Sequence, residues 1–525
     1  MSRTAETSLP IGIAATAAVA GLLSHNLLFI RGEHHLSAPT YVRLGCLAFI
    51  SFFLLRIKNG QELALLETIT AVAAYFGMLF ASMTLYRLTF HPLCSFPGPF
   101  MFRLSKLWHV FRVSPARKNY LILDQLHYQY GDFVRTGPSE LTVFHPAVFE
   151  VIGGARTSCI KAPWYDMLYP MVAINSIRDK EGYAPRRRVW DTALNLKAFN
   201  KSFGMLDKHE WSGSVQLLRN GLGILGFMTP APWLAHVAFT FAPKSRLLWQ
   251  SLVNFAKSMM GDRLYKDIAK KDVSYWMIEA ERQKGEELNL NNLYGDAFAV
   301  IIAGSHTVAT TLIFSLHGLA KNKHMQDRIR AEIKSLVSWD DVEGLGELTF
   351  FNAFLNETMR LYPVVPTGGI RMTKTEGITI GDTFIPPETT IVAPRYSLSR
   401  LESCFERASE FIPERWTTKP EMIKDKRPYN PFNNGRHSCP GKNLGLMEVR
   451  LCLSILISRF DIAFAPGESG TDVFMDMTDS FTANPGALNI MFSERNMPDY
   501  DANRQKSTIE SRSTSGSVYG GVMSA

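Results

Sequence analysis

Residues 432–441 read Phe-Asn-Asn-Gly-Arg-His-Ser-Cys-Pro-Gly, and an apolar segment predicted to be a helix, residues 441–460, follows them directly. Cys439 therefore stands at the N-terminus of a helix, where the helix dipole and free backbone N–H groups stabilise a thiolate. The same N–H groups damp the charge of the sulfur, which tunes a metal that the sulfur binds. The stretch predicts a metal-binding cysteine. The alternative is a buried cysteine that only packs at the start of a helix.

Two charged motifs lie upstream of this loop. Glu357 and Arg360 are three residues apart on a predicted helix and so share a face, and Arg415 lies in the Pro-Glu-Arg-Trp segment at residues 413–416. Read alone, Glu357 and Arg360 form an ordinary surface pair that stabilises a helix by roughly 0.2–0.5 kcal/mol. Buried, the same charges need partners, because an unpaired buried charge is costly.

A third motif lies inside a strongly apolar segment, residues 292–317, which predicts a long buried helix. Residues 303–307 of this segment read Ala-Gly-Ser-His-Thr. A glycine inside a helix costs about 1 kcal/mol relative to alanine, so Gly304 needs a reason to be there. A groove beside the helix is one such reason.

The motifs resemble those of the cytochromes P450 and occur in the same order as in that family. The family's haem loop, Phe-x-x-Gly-x-Arg/His-x-Cys-x-Gly, is matched at Phe432, Gly435, His437, Cys439 and Gly441. The resemblance covers roughly residues 85–495. It implies that Cys439 is the axial ligand of a haem iron, where a thiolate favours O–O cleavage. It also implies that Glu357, Arg360 and Arg415 form a buried triad that is structural and not catalytic.

By the same resemblance, residues 303–307 match the oxygen-binding motif Ala/Gly-Gly-x-Asp/Glu-Thr. Gly304 would open a groove for dioxygen and substrate, and Thr307 would hydrogen-bond to dioxygen and support its protonation. His306 departs from the pattern, because an acid is usual at that position. A histidine can relay protons near neutral pH, so one interpretation is an altered proton relay through His306. The other is that His306 is a satisfied core residue and water delivers protons through Thr307.

Haem b also needs cations for its two propionates. By position in the family's pattern, Arg371 and His437 are the candidates. Trp190 resembles the tryptophan of the family's Trp-x-x-x-Arg, but Leu194 stands where the arginine would be. One of the arginines at 186–188 could substitute. We favour the alternative that this run is a solvated basic face that binds a reductase or lipid.

The N-terminal 90 residues are poor in charge and contain three uncharged stretches, at residues 11–30, 44–55 and 68–86. The first and third are long enough to span a bilayer, and the second would span only with help from its flanks. Residues 1–90 therefore predict a membrane region with up to three transmembrane helices. The alternative for each stretch is a buried soluble helix. A cleaved signal peptide is disfavoured, because two more apolar stretches follow the first.

The remaining chain predicts a mainly α fold with a small β part, that is, a cytochrome P450 fold behind an N-terminal membrane anchor. Residues 91–100 form a proline-rich hinge, residues 101–496 the haem domain, and residues 497–525 a disordered polar tail. Residues 131–144 predict two strands joined by a Gly-Pro turn, and residues 363–394 are β-prone. Six scattered cysteines do not predict a disulfide framework.

The resemblance implies a haem-thiolate monooxygenase that inserts one oxygen atom of O2 into a hydrophobic small molecule, in fungal secondary metabolism of a terpenoid, alkaloid or polyketide. Four mostly apolar segments would line its pocket: residues 165–174, 300–307, 364–369 and 481–488. Residues 219–238 would form a membrane-facing lid. NADPH-derived electrons would come from a separate NADPH–cytochrome P450 reductase, because no nucleotide-binding glycine fingerprint is present. The expected location is the endoplasmic reticulum membrane, with the catalytic domain in the cytosol.

Two other functions stay open at this point. One is an enzyme of P450 fold that performs ring formation, desaturation or rearrangement without net oxygen insertion. The other is a membrane receptor or scaffold without haem. A nucleic-acid partner is disfavoured, because the net charge of +8 includes no long Lys/Arg run.

Overall fold

The structure is a computed structural model of the 525-residue chain. It describes residues 3–194, 216–217, 221, 223, 226, 228–264, 271–285 and 287–495. The predicted polar tail, residues 497–525, and part of the predicted lid, residues 219–238, lie outside the described residues.

Helices dominate the described chain. The α-helices are α1 (Arg3–Ser24), α2 (Ala38–Lys58), α3 (Ala64–Leu85), α4 (Phe100–Leu104), α5 (Lys106–Val113), α6 (Asn119–Tyr130), α7 (Val148–Gly153), α8 (Lys180–Ala193), α9 (Trp233–Phe241), α10 (Pro243–Leu264), α11 (Val273–Arg282), α12 (Leu290–Lys321), α13 (Lys323–Lys334), α14 (Val342–Glu347), α15 (Thr349–Leu361), α16 (Arg395–Leu398), α17 (Lys442–Arg459) and α18 (Asp472–Met475). Short π-helical turns extend α1 and α3, at His25–Phe29 and Tyr86–Phe90. Four 3-10 turns occur at Pro163–Asp166, Pro413–Trp416, Pro420–Met422 and Gly435–His437.

The β part is small. The strands are β1 (Phe133–Gly137), β2 (Glu140–Val143), β3 (Ile160–Lys161), β4 (Ile370–Met372), β5 (Ile378–Ile380), β6 (Thr383–Ile385), β7 (Thr390–Val392), β8 (Phe460–Phe464), β9 (Thr478–Ser480), β10 (Thr482–Asn484) and β11 (Ile490–Glu494). One sheet has the order β1-β2-β7-β4-β3, and the pairs β5–β6, β9–β10 and β8–β11 form separate antiparallel ribbons. The predicted mainly α fold with a small β part is confirmed.

The first three helices form a bundle in which α1 and α3 run parallel. The backbone at Gly21 approaches the carbonyl of Tyr75 so closely that a Cβ on Gly21 would lie 2.2 Å from that oxygen. Further along both helices, His25 Nδ1 is 2.8 Å from Ser82 Oγ. The small residue at the crossing lets the two backbones meet, as is common between membrane helices.

Within the part of the chain that the structure describes, four helices are long and apolar enough to cross a membrane, judged by length and composition alone: Ile11–Phe29, Ala38–Lys58, Ala64–Phe90 and Leu290–Lys321. The first three are the N-terminal bundle, and they fit a membrane anchor. The fourth is α12, which lies within residues 101–496, the predicted haem domain. Its ends are buried among other helices, and this burial explains its apolar composition.

The core that positions the site is shared by α12, α15 and α17. Leu319 of α12, Phe354 of α15 and Leu453 of α17 belong to one buried apolar cluster. Because these helices carry the oxygen-binding motif, the Glu-x-x-Arg motif and the cysteine loop, respectively, one core holds three of the predicted motifs in fixed relation.

Candidate active site

The cysteine loop is built by backbone constraints and ends at α17. The Gly435–His437 turn begins with Gly435 at a φ of +60°, and a Cβ there would lie 2.5 Å from the carbonyl oxygen of Gly153. Only glycine fits this conformation and this close approach. The Cys439 N–H donates to the Phe432 carbonyl at 2.7 Å, which closes the loop over six intervening residues. Gly441 is the residue that immediately precedes α17.

The thiol of Cys439 is open on one side and enclosed on the others. The side chain is exposed, yet burial raises the pKa of the thiol, while the backbone N–H of Gly441 and the Arg187 guanidinium oppose that shift. Both opposing groups favour the thiolate, as expected for a sulfur at a helix start. Cys439 therefore presents its sulfur as a possible ligand towards its open side, beside two groups that would stabilise a thiolate there.

The predicted oxygen-binding motif lies on the middle of α12, where the helix has an open face. Ala303, Gly304 and Ser305 are exposed, whereas residues 297–300 before the motif and residues 310–311 after it are buried. A Cβ on Gly304 would meet no protein atom within 4 Å. Next to this face α12 packs against α17, where Val308 Cγ2 lies 3.7 Å from the Cβ position of Gly445. The middle of α12 thus borders an open space beside the cysteine helix.

The two predicted catalytic residues on α12 have partners within the chain. His306 Nε2 is 2.8 Å from Asn484 Oδ1 on β10. The Thr307 hydroxyl donates to the Ala303 carbonyl one turn earlier, at 2.7 Å. The Thr310 hydroxyl also donates to the Ala483 carbonyl, at 3.3 Å, so β10 is tied to α12 at two points.

Glu357, Arg360 and Arg415 come together, with fully buried side chains. Arg360 donates to both oxygens of Glu357, each at 2.8 Å, and Arg415 Nε donates to Glu357 Oε1 at 3.0 Å. Burial acts to raise the pKa of Glu357, but the hydrogen bond and charge of Arg360, the Ile412 N–H and Arg415 outweigh it and lower the pKa. The exposed surface pair that the sequence allowed is not what the structure shows.

The two predicted propionate cations lie close to one another. Arg371, on β4, is buried and donates to the Tyr165 hydroxyl at 3.1 Å, while its Nε has no hydrogen-bond partner among the described residues. His437 Nδ1 is likewise buried without a partner there. Burial lowers the pKa of His437 to about 3, with further contributions from Lys161 and Arg371. The His437 imidazole is therefore neutral near pH 7 and lies among positively charged groups.

Lys161 is the member of this region that the sequence analysis missed. It is 3% exposed, and it stands directly opposite Arg371 in the antiparallel pair β3–β4. Burial lowers the pKa of Lys161 well below its usual range, and the Arg371 and Arg186 guanidinium groups add to the shift. Its one signal in the sequence is a lysine inside the apolar run Cys-Ile-Lys-Ala-Pro-Trp at residues 159–164.

The arginines at 186–188 do not form the solvated basic face that we favoured. Arg186 is buried and forms an ion pair with Asp296 at 2.5 Å. Arg187 donates to the Ser438 carbonyl, next to the cysteine, and to Asp191. Only Arg188 is exposed. Successive helical residues lie about 100° apart around the axis, so neighbouring arginines face different surroundings.

Trp190 and Leu194 belong to a core cluster with α11 and α12, the first buried and the second packed against it. The four predicted pocket segments are linked by contacts. Met171 of the first segment belongs to a buried cluster against which Ile301 and Ile302 of the second segment pack. The His306–Asn484 contact joins residues 300–307 to residues 481–488, and the Ala483 N–H donates to the Val364 carbonyl at 2.9 Å, which joins residues 481–488 to residues 364–369.

The residues present fit a haem. A thiol open on one side would supply a ligand to the haem iron, and Gly304 leaves space on the open face of α12. Lys161 and Arg371 are buried cations that pair with no carboxylate among the described residues, although burial of unpaired charge is unfavourable. Two propionate groups are the anions that would neutralise them.

Comparison with known proteins agrees with this chemistry. Residues 192–491 match the sequence model of the family described as Cytochrome P450. Cytochrome P450 monooxygenase lcsK of Purpureocillium lilacinum is 34% identical over 92% of this chain and 98% of its own length. Tryprostatin B 6-hydroxylase of Aspergillus fumigatus is 32% identical over 90% of this chain and 94% of its own length. The chain therefore belongs to the cytochrome P450 family and is similar along most of its length to the monooxygenases of fungal secondary metabolism.

Proposed function

We propose that this chain is a membrane-anchored haem-thiolate monooxygenase that inserts one oxygen atom of O2 into a hydrophobic small molecule of fungal secondary metabolism. The observation that carries the proposal is the pairing of an open Cys439 at the start of α17 with buried, unneutralised cations at Lys161 and Arg371. When bound, a haem with a thiolate ligand supplies the activation of O2.

Different residues of the chain would then have different roles around the haem. Cys439 would hold the iron, and Lys161, Arg371 and His437 would hold the propionates of haem b. Phe432, Gly435 and Gly441 would shape the loop that presents the sulfur. The exposed face at Gly304 would admit O2 and substrate beside α12, and the Thr307 hydroxyl would supply a hydrogen bond there. The triad of Glu357, Arg360 and Arg415 would hold the fold without contacting the substrate.

His306 would take the place of the acid that is usual at this position. Its contact with Asn484 fixes the ring against β10, which contributes to the predicted pocket through residues 481–488. A ring held in one orientation can pass a proton between fixed partners. His306 is thus proposed as the proton-delivering side chain, with Asn484 as its positioning residue.

The electrons would come from NADPH through a separate reductase, and the N-terminal helices would place the protein in the endoplasmic reticulum membrane with its catalytic domain in the cytosol. The pocket segments, residues 165–174, 300–307, 364–369 and 481–488, are mostly apolar. Such a pocket with few polar groups suits a hydrophobic ligand held in one orientation.

Incorporation of oxygen-18 tests the reaction class. Microsomes that contain this chain and a reductase are supplied with NADPH, candidate precursors and ¹⁸O2, and products are analysed by mass. One ¹⁸O atom per turnover is expected. A product that forms with NADPH but carries no ¹⁸O would contradict the proposal and favour ring formation, desaturation or rearrangement.

A further inference from the structure

The loop that joins the first two N-terminal helices, residues 30–37, contacts the catalytic domain through ionic hydrogen bonds. Arg178 donates to both carboxylate oxygens of Glu33, at 2.6 and 2.5 Å. His35 Nε2 is 2.9 Å from Asp166 Oδ2, and the His35 side chain is only 9% exposed. These partners lie more than 130 residues apart in the sequence, so the contacts join two separate parts of the chain.

Arg178 is the centre of this contact. Besides Glu33, its guanidinium donates to Asp166 at 2.7 Å and, through Nε, to the backbone carbonyl of Lys161 at 2.9 Å. Because the Arg178 guanidinium donates to oxygens of both carboxylates, we interpret the cluster of Glu33, His35 and Asp166 as an ion-pair contact. The same guanidinium reaches from the N-terminal loop to strand β3, which carries Lys161.

A second contact lies beside the first. Helix α2 packs against α9, and the Arg43 guanidinium stands over the Phe241 ring at 5.8 Å from its centroid. The rings of His35 and His236, the latter on α9, are 6.3 Å apart between centroids. The N-terminal bundle therefore touches the catalytic domain along one continuous surface from the loop to α9.

We propose that residues 30–37 are a docking loop that holds the membrane bundle against strand β3 and the Pro163–Asp166 turn, and so fixes the catalytic domain on the membrane. The docking loop lies on the same side of the membrane as the catalytic domain. This agrees with the parallel arrangement of α1 and α3, which both run towards that side of the membrane. Helix α2, which lies between them in the sequence, runs in the opposite direction.

The docking loop is connected to the candidate active site through Trp164 and Tyr165, the two residues that precede Asp166. The Trp164 ring stacks on Phe481 at 4.3 Å between centroids, and the Tyr165 hydroxyl accepts from Arg371. The Pro163–Asp166 turn, which receives the docking loop, therefore also contacts Phe481 between β9 and β10, and Arg371, which is predicted to bind a propionate. Docking itself is independent of the reaction, and only its effect on Lys161 and Arg371 rests on the proposed function.

Hydrogen exchange measured by mass spectrometry on the full chain in lipid nanodiscs tests the proposal with Glu33→Gln. The variant keeps the size of the side chain but removes the charge that Arg178 binds. Exchange in residues 30–37 and in residues 159–168 is expected to rise together by about fivefold, the upper range for loss of a partly exposed charged pair. Helix α13, far from the contact, serves as the internal reference and should not change.

The matched control is Glu62→Gln, the same substitution at an exposed glutamate in the loop between α2 and α3. It should change exchange in neither segment. The proposal is overturned if Glu33→Gln leaves residues 159–168 unchanged, or if Glu62→Gln has the same effect there. A reduced-CO spectrum of each preparation reports haem binding separately, so failure of the proposed function and failure of docking give different results.

Discussion

Two clusters of buried charge in this molecule differ in whether the chain neutralises them. In the triad, the carboxylate of Glu357 receives hydrogen bonds from Arg360 and Arg415, and the remaining guanidinium N–H groups donate to backbone carbonyls such as that of Ser399. In the second cluster, Lys161 and Arg371 lie together beside the His437 imidazole, and no carboxylate among the described residues pairs with these two cations.

The difference indicates what each cluster does. A buried charge set that is complete within the chain stabilises the fold, because every member has a partner. Lys161 and Arg371 stand directly opposite each other on paired strands, where like charges are destabilising. We interpret this incomplete set as the position where a bound anion would supply the missing charge.

The largest expected effect is on the complete cluster. Glu357→Gln leaves Arg360 and Arg415 buried without their anion, which costs about 3–5 kcal/mol. Because that is a large part of the stability of a domain, we expect little recoverable haem protein and a sharply lower midpoint of thermal unfolding. Yield and unfolding of the purified protein measure this.

Glu410→Gln is the matched control. Glu410 also pairs with an arginine three residues away, Arg407, but both side chains are more than half exposed. Exposed pairs of this kind contribute little to stability, because water and salt screen them. If Glu357→Gln and Glu410→Gln lower the yield and the unfolding midpoint equally, then burial is not the reason that the Glu357 triad stabilises the protein.

The second effect is smaller and concerns Lys161 and Arg371, which have no carboxylate partner among the described residues. It is expected in haem affinity and not in the stability of the haem-free protein. Lys161→Met removes a cation that the chain does not neutralise, so the haem-free protein should be no less stable than the parent. Its haem affinity should fall by about tenfold, the loss of one charged contact to a propionate. Haem transfer to an apoprotein acceptor measures the affinity, and denaturant unfolding measures the stability. If Lys161→Met instead lowers the stability of the haem-free protein and leaves its haem affinity unchanged, then Lys161 stabilises the fold and does not bind haem.

The pH dependence of haem affinity sharpens the same contrast. The pKa of Lys161 is lowered in the protein alone, and a propionate beside it would raise that pKa, so haem binding takes up a proton. Affinity is then full below the lowered pKa and declines as pH rises through it. Lys161→Arg should abolish the dependence, because arginine stays charged. If haem affinity declines equally with rising pH in Lys161→Arg, a group other than Lys161 causes the pH dependence.

The smallest effect is expected at His306, whose partner Asn484 lies within the chain. His306→Asp should leave haem binding unchanged and alter the fraction of NADPH-derived electrons that reach product, by less than about tenfold, because either side chain can transfer a proton. NADPH consumption and product are measured together. An unchanged fraction would support the interpretation of His306 as a satisfied core residue.

The sequence predicts the parts of this structure that depend on local spacing. The long helix over residues 292–317 appears as Leu290–Lys321, and the predicted helix over 441–460 as Lys442–Arg459. The Glu357–Arg360 contact follows from a spacing of three residues. The cysteine loop depends on Gly435, whose φ of +60° and close approach to the Gly153 carbonyl only glycine fits.

Contacts between distant residues escaped prediction. Lys161 lies on a strand of two residues, too short for a periodic pattern, and its neighbour Arg371 is 210 residues away. The Glu33–Arg178 contact spans 145 residues. Three consecutive arginines read as one basic face, but the helix turns Arg186 inward to Asp296 and leaves Arg188 in solvent.

The reduced-CO difference spectrum of Cys439→Ser, beside Cys452→Ser on the same helix, tests the central claim most directly. Cys452 is an exposed cysteine of α17, so it controls for the loss of a thiol. We expect the parent chain and Cys452→Ser to show the Soret band of a thiolate-ligated haem, and Cys439→Ser to lose it. An intact thiolate-type band in Cys439→Ser would contradict the account.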